Sequence, residues 1–334
     1  MNALALPVVD EELAARLQAG MAQVEELLDS YAASEAPFVT DAARHLLRAG
    51  GKRVRPLLVL LAAEAGREQV GANVGAYSED VLTAGCVVEL THLASLYHDD
   101  VMDEAALRRG AESANARWDN HVAILTGDFL FSRSSELTAR LGADAVRIQA
   151  ETFTRLVEGQ ILETLGPQRG DDPLEHYLRV VDGKTGSLIA TSARYGARFG
   201  DAPTDVEEAL TAYAAKVGVA FQLSDDILDI ASESEDSGKT PGTDLREGVP
   251  TLPTLLAQRA GDDARLVELL AGPVAEADVE EALGLLRAHP AMQQARDHVI
   301  GLATEAVELL KVLPEGPVRQ ALADFAELIA VRSA

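Results

Sequence analysis

The chain has almost no cysteine and few aromatic residues, and both shortages narrow the classes of protein to which it could belong. Cys86 is the single cysteine among 334 residues, so an intramolecular disulfide is impossible and a thiolate metal site is not expected. Aromatic residues make up 4% of the chain although 47% of it is hydrophobic. The apolar content is therefore mainly aliphatic, with abundant alanine and leucine, and this composition favours helices over strands.

Basic residues and long apolar runs are also scarce. There are 29 Lys and Arg residues against 54 Asp and Glu, a net charge of −25, and such an acidic surface repels nucleic acid and anionic lipid. The longest strongly apolar run, at 56–63, is too short to cross a bilayer. The N-terminal residues MNALALPVVDEE have no basic n-region. We therefore expect no nucleic-acid partner, no transmembrane segment and a cytoplasmic location.

Helical periodicity dominates the rest of the sequence, and we find neither a fixed-period repeat nor a convincing alternating strand pattern. Helices are predicted at 10–32, 78–103, 118–141, 145–165, 173–198 and 205–232, and from about 254 to the C-terminus. Several of these segments are apolar on more than one face, which indicates burial inside a large bundle. We predict one all-α domain over residues 1–334, with a long non-helical loop at 232–253.

Two acidic motifs share the same spacing: residues 99–103 read DDVMD and residues 225–229 read DDILD. On a helix, positions i, i+1 and i+4 fall within an arc of about 100°, so the three carboxylates of each motif share one face. Apolar segments precede both motifs, which indicates partial burial, and buried like charges need a cation to offset them. Oxygen ligands of this kind suit Mg²⁺. We predict metal binding by Asp99, Asp100, Asp103, Asp225, Asp226 and Asp229; two solvated helix faces are the alternative.

Basic residues cluster at a few places in this acidic chain. GGKRVRP occupies 50–56, Arg108 and Arg109 follow the first acidic motif, and Lys184 lies in GKTG. The last sequence is not a P-loop, because Leu178 stands where that motif requires glycine. Guanidinium and ammonium groups bind phosphate oxygens. Together with metal-binding carboxylates, these clusters indicate one diphosphate substrate or two.

The ordered set of motifs resembles the trans-isoprenyl diphosphate synthases, the polyprenyl synthetase family. The resemblance runs from GGKRVRP at 50 to GVPTLP at 253 and includes HLASLYHDDVMD, RRG, ILTGDFL, KTG, FQLSDDILD and GKTPGTD in the family's order. It implies the isoprenoid synthase fold, a large bundle of long helices around a central cavity, and a homodimer. One position departs from the pattern: Val249 stands where many relatives have a lysine, which removes one expected diphosphate contact.

The resemblance also implies a role for each matching residue. The six aspartates would hold the Mg²⁺ ions that bind the allylic diphosphate, and five of them, with Lys184, would be catalytic: Asp99, Asp100, Asp103, Asp225 and Asp226. Further contacts to that diphosphate would come from Arg108, Lys184, Thr185, Gln222 and Lys239. Isopentenyl diphosphate would be held by Lys52, Arg55, His92 and Arg109.

The implied reaction is the Mg²⁺-dependent head-to-tail condensation of isopentenyl diphosphate with an allylic diphosphate, which yields an all-trans polyprenyl diphosphate. Metal ions and cations stabilise the negative charge that develops as diphosphate leaves the allylic carbon. The alkene of isopentenyl diphosphate attacks the allylic cation, and a proton is then lost to the departing diphosphate. An apolar cavity protects the cation from water.

Small residues upstream of the first acidic motif favour a long product. Ala94 and Ser95 precede Asp99 by five and four residues, which places them about 6–7.5 Å below it on a helix. Short-chain synthases that this sequence resembles often have a bulky aromatic residue there. Thr138 and Ala150, on helices expected to line the deeper tunnel, are also small. We predict a C30 to C50 product.

The alternative is a tunnel floor supplied by another helix, through Phe129, Phe131 or Phe153, with geranylgeranyl diphosphate as the product. Three other functions fit part of the sequence: a metal phosphohydrolase, a terpene cyclase and a non-catalytic partner subunit. His98-Asp99 reads as the HD of a metal phosphohydrolase, which leaves the second acidic motif unexplained. A class I terpene cyclase would not need GGKRVRP. A non-catalytic partner subunit should have lost motif carboxylates, and all six are present.

Overall fold

The structure is a computed structural model that describes residues 10–69, 75–232 and 241–332. Helices make up most of these residues. In chain order they are α1 (Glu11–Tyr31), α2 (Pro37–Arg48), α3 (Val54–Gln69), α4 (Glu79–Met102), α5 (Ala114–Arg117), α6 (Asn120–Arg140), α7 (Ala143–Leu165), α8 (Pro173–Val181), α9 (Ser187–Phe199), α10 (Thr204–Ala231), α11 (Thr243–Glu247), α12 (Leu252–Ala260), α13 (Ala264–Leu269), α14 (Val279–Ala288), α15 (Pro290–Leu309) and α16 (Pro317–Arg332). A π-helical turn lies at Asp182–Gly186, and short 3-10 turns lie at Glu276–Asp278 and Leu310–Val312. The prediction of an all-α fold is confirmed.

Two very short strands, β1 (Leu107–Arg108) and β2 (Ala111–Glu112), form an antiparallel hairpin after the first acidic motif. The sequence had given no strand signal, because two-residue strands are too short to show an alternating pattern. Among the helices of the described ranges, none combines the length and apolar content that a bilayer crossing requires.

The described residues divide into two compact units. The first comprises the chain up to Phe153 together with Leu188–Thr211 and Lys311–Leu322. The second comprises Thr154–Ser187, Ala212–Leu310 and the residues from Ala323 onward. The first acidic motif lies in the first unit and the second acidic motif lies in the second. The prediction of a single domain over 1–334 stays a prediction.

In the first unit, α4 is buried along most of its length and packs against α1, α3 and α6. The Ser78 side chain caps its first turn by accepting a hydrogen bond from the Val81 backbone N–H. Gly127 of α6 lies close to the C-terminal part of α4. A Cβ added there would lie 2.3 Å from His98 Nε2, so glycine makes room for the imidazole ring. This contact fixes the end of α4 from which the first acidic motif projects.

In the second unit, the segment predicted as one helix over 173–198 is interrupted by the π-helical turn. The turn lies where α7 passes very close to it. A Cβ added at Gly159 of α7 would lie 2.5 Å from the Lys184 backbone nitrogen and 3.2 Å from the Gly183 Cα. Insertions of this kind in helices frequently occur at functional sites, and this one carries Lys184.

The remaining predicted boundaries agree with the structure to within a few residues. The predicted loop at 232–253 is wrong in one part, because α11 forms between two glycines, Gly242 and Gly248, that both adopt positive φ. Left-handed glycines commonly end helices, and here they limit α11 to a single short segment. Residues 233–240 of that loop, including Lys239, lie outside the described residues.

Candidate active site

The first acidic motif occupies the last turn of α4 and its C-cap. Asp100 is fully buried, whereas Asp103 is the C-cap residue and is exposed. Arg108 donates from Nε to Asp100 Oδ1 at 2.5 Å, and its Nη2 lies 3.9 Å from Asp103 Oδ2. Burial raises the pKa of Asp100, and the adjacent Arg108 guanidinium opposes that shift. Burial thus disfavours the charged form of Asp100, and the Arg108 guanidinium beside it favours that form.

The β-hairpin directs the side chains of the two neighbouring arginines, Arg108 and Arg109, to different partners. Its loop consists of Arg109 and Gly110, both at positive φ (55° and 78°), as the favoured two-residue hairpin loop requires. Arg108, on β1, contacts the acidic motif. Arg109, in the loop, donates instead to the backbone carbonyls of Leu46 and Gly50.

The basic segment 50–56 contains one structural arginine and one that has spare donors. Arg53 is buried, with ion pairs to Glu25 at 2.6 Å and to Glu89 at 2.9 Å. Arg55 lies near Glu89, but its Nε is buried without a hydrogen-bond partner in the part of the chain that the structure describes. Desolvation, together with a smaller effect of Arg109, lowers the pKa of Arg55 to about 10, although Glu89 opposes the shift. Unsatisfied buried donors are costly, which makes Arg55 a strong candidate for binding an anion.

His92 lies among these arginines. Burial first, and then the positive charges of Arg55 and Arg109, lower its pKa well below the ordinary histidine value. Lys52 is exposed at the start of the same segment. Four of the residues predicted to hold isopentenyl diphosphate therefore belong to one unit, and the field around His92 is positive in a strongly acidic chain.

The second acidic motif lies on α10 and is held largely by neutral donors. The Tyr177 hydroxyl donates to Asp226 Oδ2, and Gln222 Nε2 donates to Asp226 Oδ1 at 3.0 Å. Thr185 Oγ1 donates to Gln222 Oε1 at 3.2 Å, so the π-helical turn is linked to the motif. Burial raises the pKa of Asp226 to about 6, although the two hydrogen bonds oppose the shift. Tyr177 was not identified from the sequence.

The outer carboxylates of this motif have other partners. Arg332, at the end of α16, donates from Nη2 to Asp225 Oδ1 at 2.8 Å. Asp229 accepts from the backbone N–H groups of Thr243 and Asp244 at 3.3 and 3.2 Å, which ties the start of α11 to the motif. Arg332 is a second residue that sequence reasoning missed, because it lies 107 positions from Asp225.

Lys184 is held from α7. Its Nζ donates to Glu163 Oε2 at 2.5 Å, and both side chains are partly exposed. Glu163 lies one helical turn after Gly159, whose lack of a side chain permits the close approach of α7 to the π-helical turn. Val249, the residue that departs from the family's pattern, follows α11 and donates from its backbone N–H to Asp244 O at 2.9 Å.

The donor set fits Mg²⁺ if the metal arrives with a diphosphate. Within residues 10–69, 75–232 and 241–332, no three His, Cys, Asp or Glu side chains converge closely enough to hold a metal ion by themselves. Mg²⁺ in proteins usually binds one or two carboxylates and completes its shell with waters and substrate phosphates. Asp100 Oδ2 is buried and has no hydrogen-bond partner among the described residues, so it has lone pairs to offer.

A cavity of about 480 Å³ lies in the first unit, next to the first acidic motif. His98 lines one end of it, and the rings of Phe131 and Phe153 lie there in edge contact, with their centroids 4.6 Å apart. Thr138 and Ala150, which were predicted to line the deeper tunnel, do line this cavity. The cavity lining does not include Ala94, which is fully buried within α4, or Ser95.

Comparison with known proteins gives consistent matches over nearly the whole chain. The polyprenyl synthetase family model matches residues 36–286. The nonaprenyl diphosphate synthase of Mycobacterium tuberculosis is 50% identical over 317 residues, which is 94% of this chain and 92% of that protein.

Solved structures agree with the sequence matches. The geranylgeranyl pyrophosphate synthase of Corynebacterium glutamicum, crystallised with calcium and isoprenyl diphosphate, is 46% identical with a TM-score of 0.86, and the match covers 97% of this chain and 98% of that one. A decaprenyl diphosphate synthase from Rhodobacter capsulatus is 35% identical, also with a TM-score of 0.86, over 96% and 98% of the two chains.

Proposed function

Because this chain belongs to the polyprenyl synthetase family and is a prenyltransferase, we propose that it condenses isopentenyl diphosphate with an allylic diphosphate in a Mg²⁺-dependent, head-to-tail reaction. The observation that carries the proposal is that both acidic motifs have a buried middle carboxylate held by a nearby donor. Arg108 contacts Asp100, and Tyr177 contacts Asp226. Such sites bind a metal–diphosphate complex better than a free metal ion.

The six motif aspartates would hold the metal ions: Asp99, Asp100, Asp103, Asp225, Asp226 and Asp229. When bound, Mg²⁺ would neutralise charge on the allylic diphosphate and favour its departure. Arg108 and Lys184 would bind the oxygens of that diphosphate as charge-assisted donors. Thr185 and Gln222 would fix the position of the π-helical turn relative to Asp226, and Lys239 is predicted to add a contact.

Isopentenyl diphosphate would bind the cationic residues Lys52, Arg55 and Arg109, together with His92. The unpartnered Nε of Arg55 supports this assignment, because an anion would satisfy it. A neutral His92 donates one hydrogen bond without adding charge, which suits an anion already surrounded by guanidinium groups. Positioning the alkene beside the allylic carbon replaces a bimolecular encounter with an intramolecular one.

We propose a long product, C30 to C50. The cavity extends along α6 from Asp128 to Thr138, a length of about 15 Å at the rise of a helix. It therefore continues beyond the Phe131–Phe153 pair. The similarity to nonaprenyl and decaprenyl diphosphate synthases supports the same product class. Geranylgeranyl diphosphate is the second candidate for two reasons. The contacting rings of Phe131 and Phe153 line the cavity together with His98, and a geranylgeranyl synthase is 46% identical to this chain.

The predictions of a homodimer and of a cytoplasmic location are retained here as proposals. Exposed apolar side chains on α6 support self-association, since Ile124 and Leu125 are 42% and 65% exposed. The cytoplasmic location rests on the scarcity of cysteine and the acidic composition.

A product assay tests this function. The purified chain is incubated with Mg²⁺, isopentenyl diphosphate and, separately, C5, C10, C15 and C20 allylic diphosphates, and the hydrolysed products are sized by mass spectrometry. Prenols of C30 or longer are expected. If the wild type stops at C20 and Phe131→Ala or Phe153→Ala gives longer products, the aromatic pair forms the floor of the product tunnel. Absence of elongation with every primer would contradict the enzyme function and favour a partner subunit.

A further inference from the structure

The C-terminal end of α16 supplies a guanidinium group to the second acidic motif. Arg332 Nη2 donates to Asp225 Oδ1 at 2.8 Å, and the Arg332 guanidinium carbon lies 5.4 Å from the centroid of the Phe221 ring. Asp225 and Phe221 are one helical turn apart on α10. A carboxylate on one side and an aromatic face on the other fix the plane of this guanidinium.

One side of this guanidinium has no partner. Arg332 Nη1 is buried and finds no hydrogen-bond acceptor in the described residues. An arginine has five N–H donors in a rigid fork, and leaving a buried donor unsatisfied is unfavourable. Arg332 therefore has donor capacity left after its contact with Asp225, and an oxyanion bound beside the motif would use it.

The first acidic motif also has a guanidinium beside it, although that guanidinium contacts the middle aspartate, Asp100, and not the first. Arg108 also contacts a motif carboxylate through one nitrogen, Nε, at 2.5 Å, and it too is partly exposed. Each motif thus has one guanidinium that contacts a motif aspartate directly, at 2.5 Å in one case and 2.8 Å in the other. Guanidinium forks are well suited to binding carboxylate and phosphate oxygens at once.

We propose that Arg332 is a substrate-binding residue that contributes the counterpart of Arg108 at the second motif: it holds Asp225 through one nitrogen and donates through Nη1 to an oxygen of the allylic diphosphate. This rests on the proposed function, since it names a further group for the same substrate. The final turn of α16 is then part of the binding site.

Calorimetric binding of inorganic diphosphate in the presence of Mg²⁺ tests the assignment without requiring turnover. We expect Arg332→Gln to weaken diphosphate binding about tenfold, as loss of a hydrogen bond to a charged group does. Arg332→Lys should restore part of the affinity, because lysine keeps the charge but not the fork. Arg319→Gln is the matched control on the same helix, where Arg319 donates to Leu313 O, and it should bind as the wild type does.

Steady-state kinetics and a truncation separate binding from folding. Arg332→Gln should raise KM for the allylic substrate and leave KM for isopentenyl diphosphate unchanged within about twofold. Removal of residues 332–334 should reproduce Arg332→Gln, whereas removal of residues 333 and 334 alone should not. This pair of truncations also decides the outcome if Arg332→Gln is too unstable to purify.

Two results would overturn the assignment. Unchanged or tighter diphosphate binding in Arg332→Gln would mean that the arginine only anchors the helix or competes with the metal. A rise in KM for isopentenyl diphosphate alone would place Arg332 at the other substrate. Either result leaves the proposed function standing if the wild type elongates prenyl chains, whereas a wild type that neither binds diphosphate nor elongates would contradict the function itself.

Discussion

The two acidic motifs have the same spacing but lie in different electrostatic surroundings. In the first motif the buried middle carboxylate, Asp100, pairs with the charged Arg108, and its other oxygen has no hydrogen-bond partner within the described part of the chain. In the second motif the buried middle carboxylate, Asp226, accepts from two neutral donors, Tyr177 and Gln222, one at each oxygen. Identical spacing therefore does not give identical chemistry.

The charges around the two motifs also differ: positive groups surround the first, and negative groups surround the middle carboxylate of the second. Beside the first motif, burial and then several arginines keep the pKa of His92 low. In the second motif, Asp225 and Asp229 raise the pKa of Asp226, after burial has raised it more. We infer that an ion pair holds the buried middle carboxylate of the first motif, whereas oriented neutral donors hold that of the second; in the second motif the ion pair, with Arg332, is made by the neighbouring Asp225 instead.

The largest effect is expected from removing the ion pair of the first motif. Arg108→Gln takes away the guanidinium beside a buried carboxylate, which is also the proposed donor to the diphosphate, so we expect kcat to fall about 10²–10³-fold. Loss of a preorganised charge at the site is the physical reason. Steady-state assays with saturating substrates measure the effect.

A surface ion pair provides the matched control for this change. Arg265 pairs with Glu281 at 2.8 Å, with both side chains exposed. Arg265→Gln should change kcat less than about twofold and the free energy of unfolding by less than about 1 kcal/mol. Equal losses in the two variants would show that charge removal in general, and not the first motif, is responsible.

A smaller effect is expected when the neutral donor of the second motif is removed. Tyr177→Phe deletes the hydroxyl that orients Asp226, and loss of such an orienting group typically weakens metal affinity by about 10–100-fold. Titration of activity and of diphosphate binding with Mg²⁺ measures the change. Tyr213→Phe is the control, because Tyr213 is a buried tyrosine of α10 that lies about 18 Å before the motif along the helix, and this variant should keep wild-type Mg²⁺ affinity. A wild-type Mg²⁺ requirement in Tyr177→Phe would contradict the distinction between the motifs.

The smallest effect concerns the pH dependence of stability. Because the folded protein lowers the pKa of His92, the unfolded chain binds a proton near pH 6.5 that the folded chain does not. Stability from this source is present above about pH 6.5 and is lost as pH falls, by at most about 1.4 kcal/mol per pH unit.

Chemical denaturation of the wild type and of His92→Gln between pH 5 and pH 8 tests this linkage. The wild type should lose stability relative to the variant as the pH falls below about 6.5. Parallel stability curves for the two proteins would mean that neither burial nor the neighbouring arginines lower the pKa of His92 in the folded protein.

Much of the fold and the outline of the site were predictable from the sequence. The long helices were visible because α4 and α10 carry continuous apolar segments, and the carboxylates were visible because their spacing repeats. The β-hairpin was missed because its strands have two residues each. The π-helical turn was missed because it depends on the close approach of Gly159 to Lys184, which no local periodicity reports.

The residues that hold the second motif were not predictable either. Tyr177 and Arg332 are separated from their partners by 49 and 107 positions, and neither stands in a recognisable motif. Single tyrosines and arginines are common on helices, so only the folded arrangement shows which carboxylate each one contacts. The assignment of Ala94 and Ser95 to chain length likewise depends on the path of the tunnel, and both residues lie outside the lining of the described cavity.

We propose, from the resemblance to the polyprenyl synthetase family, that both acidic motifs bind the same allylic diphosphate. A double-mutant cycle with Asp99→Asn and Asp225→Asn tests it directly, with calorimetric binding of an allylic diphosphate analogue whose bridging oxygen is replaced by sulfur. We predict that each variant weakens Mg²⁺-dependent binding, and that the combined loss is smaller than the sum of the two free-energy losses, because the motifs share a ligand. Strictly additive losses, or wild-type binding in either single variant, would contradict the claim.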